Sequence, residues 1–320
     1  MSVGDGRSAV AIGGGTGLPA VLHCLLDLGF ETSAVVTMAD DGGSSGLLRK
    51  QLGMLPPGDV RNCLVAMAQN EDGIEARMFQ YRFPEVGTEG VGHALGNLIL
   101  AALTDITGSF PQAIAHASEY LNARGNVIPS TLVDVSLHGV DRAGAQHKGQ
   151  ATLAVSPHPL ARVYLEPELP AAYGPALDAI TVADVIVVGP GSLFTSIIPN
   201  FLVSGVSHAV ASSPATLIYV CNVANLRGET HGLDAADHVL ALAEHGLMRA
   251  VDVVLVHDPT LAGPSACDDG AVEPVLADEA VRARIESMGA RVVAADLADP
   301  ADRVRHSRRA LCRALEGVVS

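Results

Sequence analysis

SAVAIGGGTGLPAVLHCLLDL, residues 8–28, joins a β-branched apolar run to a glycine cluster and then to an amphipathic helix. A strand that ends in glycine and turns directly into a helix is the first half of a βαβ unit. The same grammar recurs along the chain. TSAVVTM (32–38) runs into Asp40-Asp41, ADVIVVG (183–189) into Pro190-Gly191-Ser192, ATLIYVC (215–221) into Asn222, and VDVVLV (251–256) into His257-Asp258. Helical stretches such as 233–246 lie between them. Buried runs alternating with helices predict an α/β fold built on a mostly parallel, doubly wound sheet. In such sheets ligands sit beyond the carboxyl ends of the strands, where strand order reverses, so all five polar clusters are expected on one rim. Between the halves, residues 59–122 read as mainly helical and 126–166 as antiparallel strands or hairpins. We therefore expect a single α/β domain over 1–320, with an elaboration at about 72–170 inserted between the halves of the core. The Arg-rich segment 301–317 is expected to be a solvated surface helix.

Composition narrows the function. Aromatic residues make up 3% of the chain and Trp is absent, so the core must be aliphatic. A formal charge of −15 opposes phosphodiester backbones and anionic membranes, which argues against nucleic acid as a partner. No apolar run reaches the ~20 residues of a membrane helix, so no membrane insertion is expected. The five cysteines are widely spaced, with no CxxC pair or metal-like cluster, which fits a reducing compartment. The start MSVGDGR leads straight into a strand without the pattern of a signal sequence, and a cytoplasmic protein is expected.

The glycine loops carry the chemistry. Gly13, Gly14, Gly15, Thr16 and Gly17 present backbone N–H groups at a helix start, where phosphate is favoured. Leu18 stands where a dinucleotide fingerprint needs its third glycine, and no Gly-Lys-Ser/Thr follows as in a P-loop. Gly189, Gly191 and Ser192 repeat the arrangement at another strand end, with Asn222 at the next. Asp40 and Asp41 open the loop DDGGSSG (40–46), whose Ser44 and Ser45 can close over a ligand. Their roles stay open: bonding ribose hydroxyls, holding Mg²⁺ together with substrate phosphates, acting as catalytic base, or starting an Asx turn. In PPGDVRN (56–62), Asp59 reads as a helix N-cap, while Arg61 can grip a phosphate and Asn62 lies beside it, with Arg49 a second candidate. GHALGN (92–97) places His93 and Asn97 at another helix start. No dedicated metal site is expected beyond Asp40 and Asp41, and Mg²⁺ is the one cofactor considered.

With these blocks in view, the chain resembles the YvcK branch of the CofD-like family, the gluconeogenesis factors. The matching stretches are GGGTGL (13–18), VVTMADDGGSSGLLRKQLGMLPPGDVRNCLVAM (35–67), GHALGNLILAALTDITG (92–108), VIPSTLVDV (127–135), GPGSLFTSIIPN (189–200), YVCN (219–222) and RGETHGLDAADHV (227–239). The resemblance implies a Rossmann-like three-layer sandwich and a cytoplasmic regulatory protein of cell morphogenesis and cell-wall precursor control under gluconeogenic growth. It implies a nucleotide-sugar ligand such as UDP-N-acetylglucosamine, held by the glycine loops, with the aspartates facing a second ligand. The related CofD branch transfers a 2-phospholactyl group from an activated nucleotide to a deazaflavin. Binding protein and Mg²⁺-using transferase therefore both stand at this point, and a homodimer is left open.

Overall fold

A computed structural model describes residues 3–84, 92–261 and 273–320. Its strands are β1 (Ser8–Gly13), β2 (Glu31–Val36), β3 (Asn126–Pro129), β4 (Ser136–Asp141), β5 (Gln146–Lys148), β6 (Leu160–Glu166), β7 (Val185–Val188), β8 (Thr216–Val220), β9 (Val253–His257) and β10 (Arg291–Ala295). Seven of them form one parallel sheet in the order β10-β9-β8-β7-β1-β2-β3. The chain builds outward from β1 to β3, then returns to β7 and builds outward on the other side. Strand order therefore reverses between β1 and β7, and the doubly wound reading holds.

The central strands are apolar along their whole length because both sheet faces are covered. All four residues of β7 and five of the six in β1 are buried. The second sheet is antiparallel, in the order β5-β4-β6. One segment departs from expectation: Asn126–Pro129 is not a hairpin strand but the parallel edge of the main sheet. Its alternating exposure arises because an edge strand offers one face to solvent.

The helices that matter for the rim are α1 (Leu18–Asp27), α2 (Gly43–Leu52), α3 (Gly58–Met67), α4 (Ile74–Gln80), α5 (Leu95–Thr107) and α6 (Phe110–Leu121). The terminal helix, Arg308–Val319, is not simply a solvated surface helix. Ala310, Leu311, Leu315 and Val319 are buried, and Cys312 is disulfide-bonded to Cys24 of α1 across 288 residues. Sequence spacing cannot reveal this pairing, since only the folded helix pair brings the two cysteines together.

The loops after β1 and β7 press on each other. A Cβ at Gly17 would lie 2.6 Å from the Pro190 carbonyl oxygen, and one at Gly191 would lie 3.0 Å from that of Gly14. Asn222 clasps Gly191 on both sides, its Nδ2 donating to the carbonyl at 2.9 Å and its Oδ1 accepting from the N–H at 3.3 Å. The Asn200 amide donates to Gly13 O at 3.2 Å. Glycine is needed here for backbone-to-backbone approach. Gly17→Ala is accordingly expected to destabilise the fold by about 1–3 kcal/mol. Gly317→Ala, in the terminal helix with open space around its Cβ position, should instead stabilise by about 0.5–1 kcal/mol. Urea unfolding of the two variants checks the opposite signs.

Candidate functional site

Beyond the carboxyl end of β2 lies a cavity of about 490 Å³. Three helix amino ends open onto it: α2 through Gly42–Ser45, α3 through Gly58–Asn62, and α5 through Asn97. None of the three is closed by a side chain from its N-cap residue, Gly42, Pro57 or Ala94. The first N–H groups of a helix lack intrahelical partners and carry the positive end of its dipole, so their convergence favours an anion.

Arg61 is the strongest single feature. Its side chain lines the cavity and the residue is 4% exposed. Nη2 donates to Asn62 Oδ1 at 2.6 Å, while Nε and Nη1 have no partner. Burial, with Arg82 nearby, draws the guanidinium down to about 10. A buried cation with free donors is costly to the fold and strongly attractive to an oxyanion. Arg49, the other guanidinium considered from sequence, is occupied by Asp134 Oδ1 at 2.8 Å and by the Val135 carbonyl.

The aspartate pair splits. Asp40 lines the cavity; its Oδ1 accepts from Gly42 N at 3.0 Å, and Ser45 also bonds it. Burial raises its pKa above the usual carboxylate range. Asp41 turns instead to the helix Gln150–Leu153, accepting from Gln150 N at 3.1 Å and Ala151 N at 2.8 Å. The carboxyl that accompanies Asp40 in the cavity is Asp59. A Cβ at Gly14 would lie 2.5 Å from Asp59 Oδ2, and the Gly15 N–H bonds the carboxyl. Burial, then the charge of Asp40, pushes Asp59 up to about 7. Asp59 is thus not the N-cap of α3, a position held by Pro57, but a carboxyl seated against the first glycine loop. Ser44 Oγ meets His93 Nδ1 and accepts from Asn97 Nδ2, both at 3.0 Å, leaving Asn97 Oδ1 unpartnered and buried.

A second cavity of about 460 Å³ shares Arg61, Asn62 and Arg82 with the first and adds Thr16, His23, Glu71 and Arg305. Of the first glycine loop, Thr16 faces this space, whereas the Cβ positions of Gly14 and Gly17 are filled by Asp59 with Thr37 and by Pro190. Gly13 and Gly15 pack against Leu18 and Ser196, and Gly189 against Ile197. Ser192 precedes the π-helical turn Leu193–Ile197 without a side-chain capping bond, and its carbonyl accepts from Ser196 N and Ile197 N. Within that turn, Thr195 Oγ1 donates to Glu229 Oε1 at 2.5 Å. Glu229 is wholly buried, its Oε2 is unpartnered, and burial pushes it up to about 7. Among the described residues, no group of three or more His, Cys, Asp and Glu is placed to hold a metal.

Residues 9–298 match the family described as 2-phospho-L-lactate transferase CofD. The chain belongs to the CofD family. Within it, this CofD-family chain is 43% identical over 275 residues to the gluconeogenesis factor of Halalkalibacterium halodurans, covering 85% of each. It is 43% identical over 255 residues to the Bacillus subtilis gluconeogenesis factor, covering 80% of each. A crystal structure of a Bacillus halodurans protein superposes with a TM-score of 0.88 at 39% identity, covering 97% of this chain and 99% of that one.

Sequence reasoning did not find Arg82, Arg305 or Glu229, and read Asp59 as a cap. PPGDVRN held a usable signal for Asp59, because a buried helix start beside a glycine loop brings its first-turn carboxyl against that loop. Arg82 lies in a stretch without pattern and Arg305 in the Arg-rich segment read as solvated; both reach the rim only through tertiary packing. The buried carboxyls also set a pH dependence. Glu229 has an ordinary pKa of 4.5 unfolded and about 7 folded. Its stabilising contribution is therefore full below 4.5 and is lost as pH rises through 7, a swing of about 3 kcal/mol. Asp59 acts in the same direction. Glu229→Gln should lose correspondingly less unfolding free energy than the parent between pH 4.5 and 7.5, measured by urea denaturation.

Proposed function

We propose that this protein binds a nucleotide-sugar of the UDP-N-acetylglucosamine class across the two cavities that share Arg61, and acts by binding rather than by turnover. The observation that carries the reading is Arg61, a buried guanidinium with two unpartnered nitrogens where three helix amino ends meet. Because Arg61 belongs to both cavities, it suits the middle of an elongated ligand, where a diphosphate joins two bulkier ends. Asp40 and Ser45 offer one end groups for sugar hydroxyls; Thr16, Glu71 and Arg305 offer the other polar contacts. The physiological part rests on similarity to the gluconeogenesis factors: a cytoplasmic regulator of cell-wall precursor supply and cell shape during growth on gluconeogenic carbon.

A second reading, transfer of a phospho-containing group, is supported by the CofD match and by the Asp40–Asp59 pair. Mg²⁺ would be held there by these two carboxylates and by ligand phosphates, where it would offset developing negative charge. Asp41 is bound to the helix Gln150–Leu153 and is a poor candidate for that role.

Isothermal titration with UDP-N-acetylglucosamine tests the leading reading. Saturable binding that Arg61→Gln weakens by about tenfold or more is expected. The same variant should leave the ligand-free protein as stable as the parent or more so, since it removes a buried charge whose Nε and Nη1 have no hydrogen-bond partner. No detectable heat, or equal binding of unrelated nucleotides, overturns the reading. Product formation with Mg²⁺ and a nucleotide-activated donor would establish the second.

A further inference from the structure

Cys24 and Cys312 stand directly behind the wall of the second cavity. Cys24 follows His23 on α1, and His23 lines that cavity with its Nε2 3.2 Å from Glu71 Oε2. Glu71 is gripped in turn by Arg308, the first residue of the terminal helix, at 2.8 Å, and the same guanidinium reaches Asp27 of α1 at 3.1 Å. Just before that helix, Arg305 lines the cavity and His306 Nε2 meets the Cys221 carbonyl at 3.0 Å, beside the Asn222 that clasps the second loop. The terminal helix thus carries the disulfide and Arg308, and the segment leading into it carries Arg305 and His306.

Without the bond, this helix is held by side-chain packing and by ion pairs. Four small or aliphatic side chains are buried, and its ion pairs are partly exposed, which makes them weak. The Cα atoms of the two cysteines are 4.9 Å apart, so the bond closes without moving the backbone. Cys24 is fully buried while Cys312 keeps a face to solvent, which gives a reagent one sulfur to attack. Cys63 and Cys221 are buried, and burial pushes both thiols up, so neither competes.

We propose that Cys24 and Cys312 form a reversible redox pair that clamps the terminal helix on α1 and so sets the Arg305 wall of the cavity. Its effect on affinity rests on the nucleotide-sugar reading above; its effect on the helix does not. In the oxidising direction the Cys312 thiolate attacks a hydroperoxide, an alcohol or water leaves, and a sulfenic acid forms. The Cys24 thiolate then attacks that sulfur and expels the hydroxyl as water. Two thiols lose two electrons and two protons, and the peroxide accepts both pairs. In the reducing direction a dithiol attacks the Cys312 sulfur, Cys24 leaves as thiolate, and the second thiol of the reagent releases Cys312.

The experiment compares full-length protein treated with hydrogen peroxide, the same protein reduced with dithiothreitol, and the Cys312→Ser variant. Thiol titration after unfolding should count five thiols in the reduced chain, from its five cysteines, and two fewer after peroxide. Amide exchange over residues 303–320 should be about tenfold faster in the reduced protein and in Cys312→Ser than in the oxidised one. Titration with UDP-N-acetylglucosamine should show an affinity about fivefold higher when oxidised. An unchanged thiol count, or a formed bond with unchanged exchange, overturns the proposal. Equal affinity in both states despite changed exchange overturns its link to the cavity. If neither state binds the nucleotide-sugar, the ligand reading fails, and the exchange contrast alone decides the redox clamp.

Discussion

Everything at the rim depends on two loops that leave neighbouring parallel strands and must share one space. β1 and β7 are adjacent, yet one is followed by the outward walk to β3 and the other by the walk to β10. Their exits therefore collide unless the backbones can touch. Gly17 against Pro190 and Gly191 against Gly14 provide that contact, and Asn222 ties the second loop down. The result fixes where α1 begins, and through α1 it fixes Thr16 and His23 as walls of the second cavity. Glycine at these positions is a requirement of the fold before it is a feature of any ligand site.

This separates what could be read in the sequence from what could not. The alternation of buried strands and helices is a local signal. SAVAI, ADVIVVG and ATLIYVC fell within a residue or two of β1, β7 and β8. The rim was legible for the same reason, because parallel topology sends every strand end to one side. The placement of individual side chains was not. Asp40 and Asp41 are adjacent in sequence, but successive residues in an extended loop point apart, so one enters the cavity and the other caps a distant helix. Asp59 is separated from Asp40 by a whole helix and becomes its neighbour only when α3 docks under the first glycine loop. Arg61 was legible as a phosphate ligand by type alone; that two of its nitrogens lack partners is a property of packing that no pattern records.

The electrostatics of the site run against those of the molecule. A chain of net charge −15 repels anions at long range, although salt screens that field beyond roughly 8–10 Å. The attraction must therefore be local and poorly screened. Buried Arg61 and the three converging helix ends meet that condition, because their charges lie in low dielectric and need little reorganisation when a ligand arrives. An acidic chain around a buried guanidinium also discourages large polyanions, which would have to lie along the surface.

The same burial shapes the opposite charge. Asp40 and Asp59 share the cavity with Arg61, yet both are raised, so the desolvation that makes Arg61 attractive also weakens the carboxylates that would otherwise neutralise it. With Asp59 near 7, a neutral solution holds the pair part-protonated, able to accept a hydrogen bond from a hydroxyl or to donate one to an oxygen. On the proposed reading, a ligand that is only anionic would leave the buried Asn97 Oδ1 without a donor, and one that is only a polyol would leave Arg61 Nε and Nη1 without a matching charge. Phosphate next to hydroxyls on one molecule would meet both, and this pairing of open donors with an open acceptor is the physical ground of the proposed ligand class.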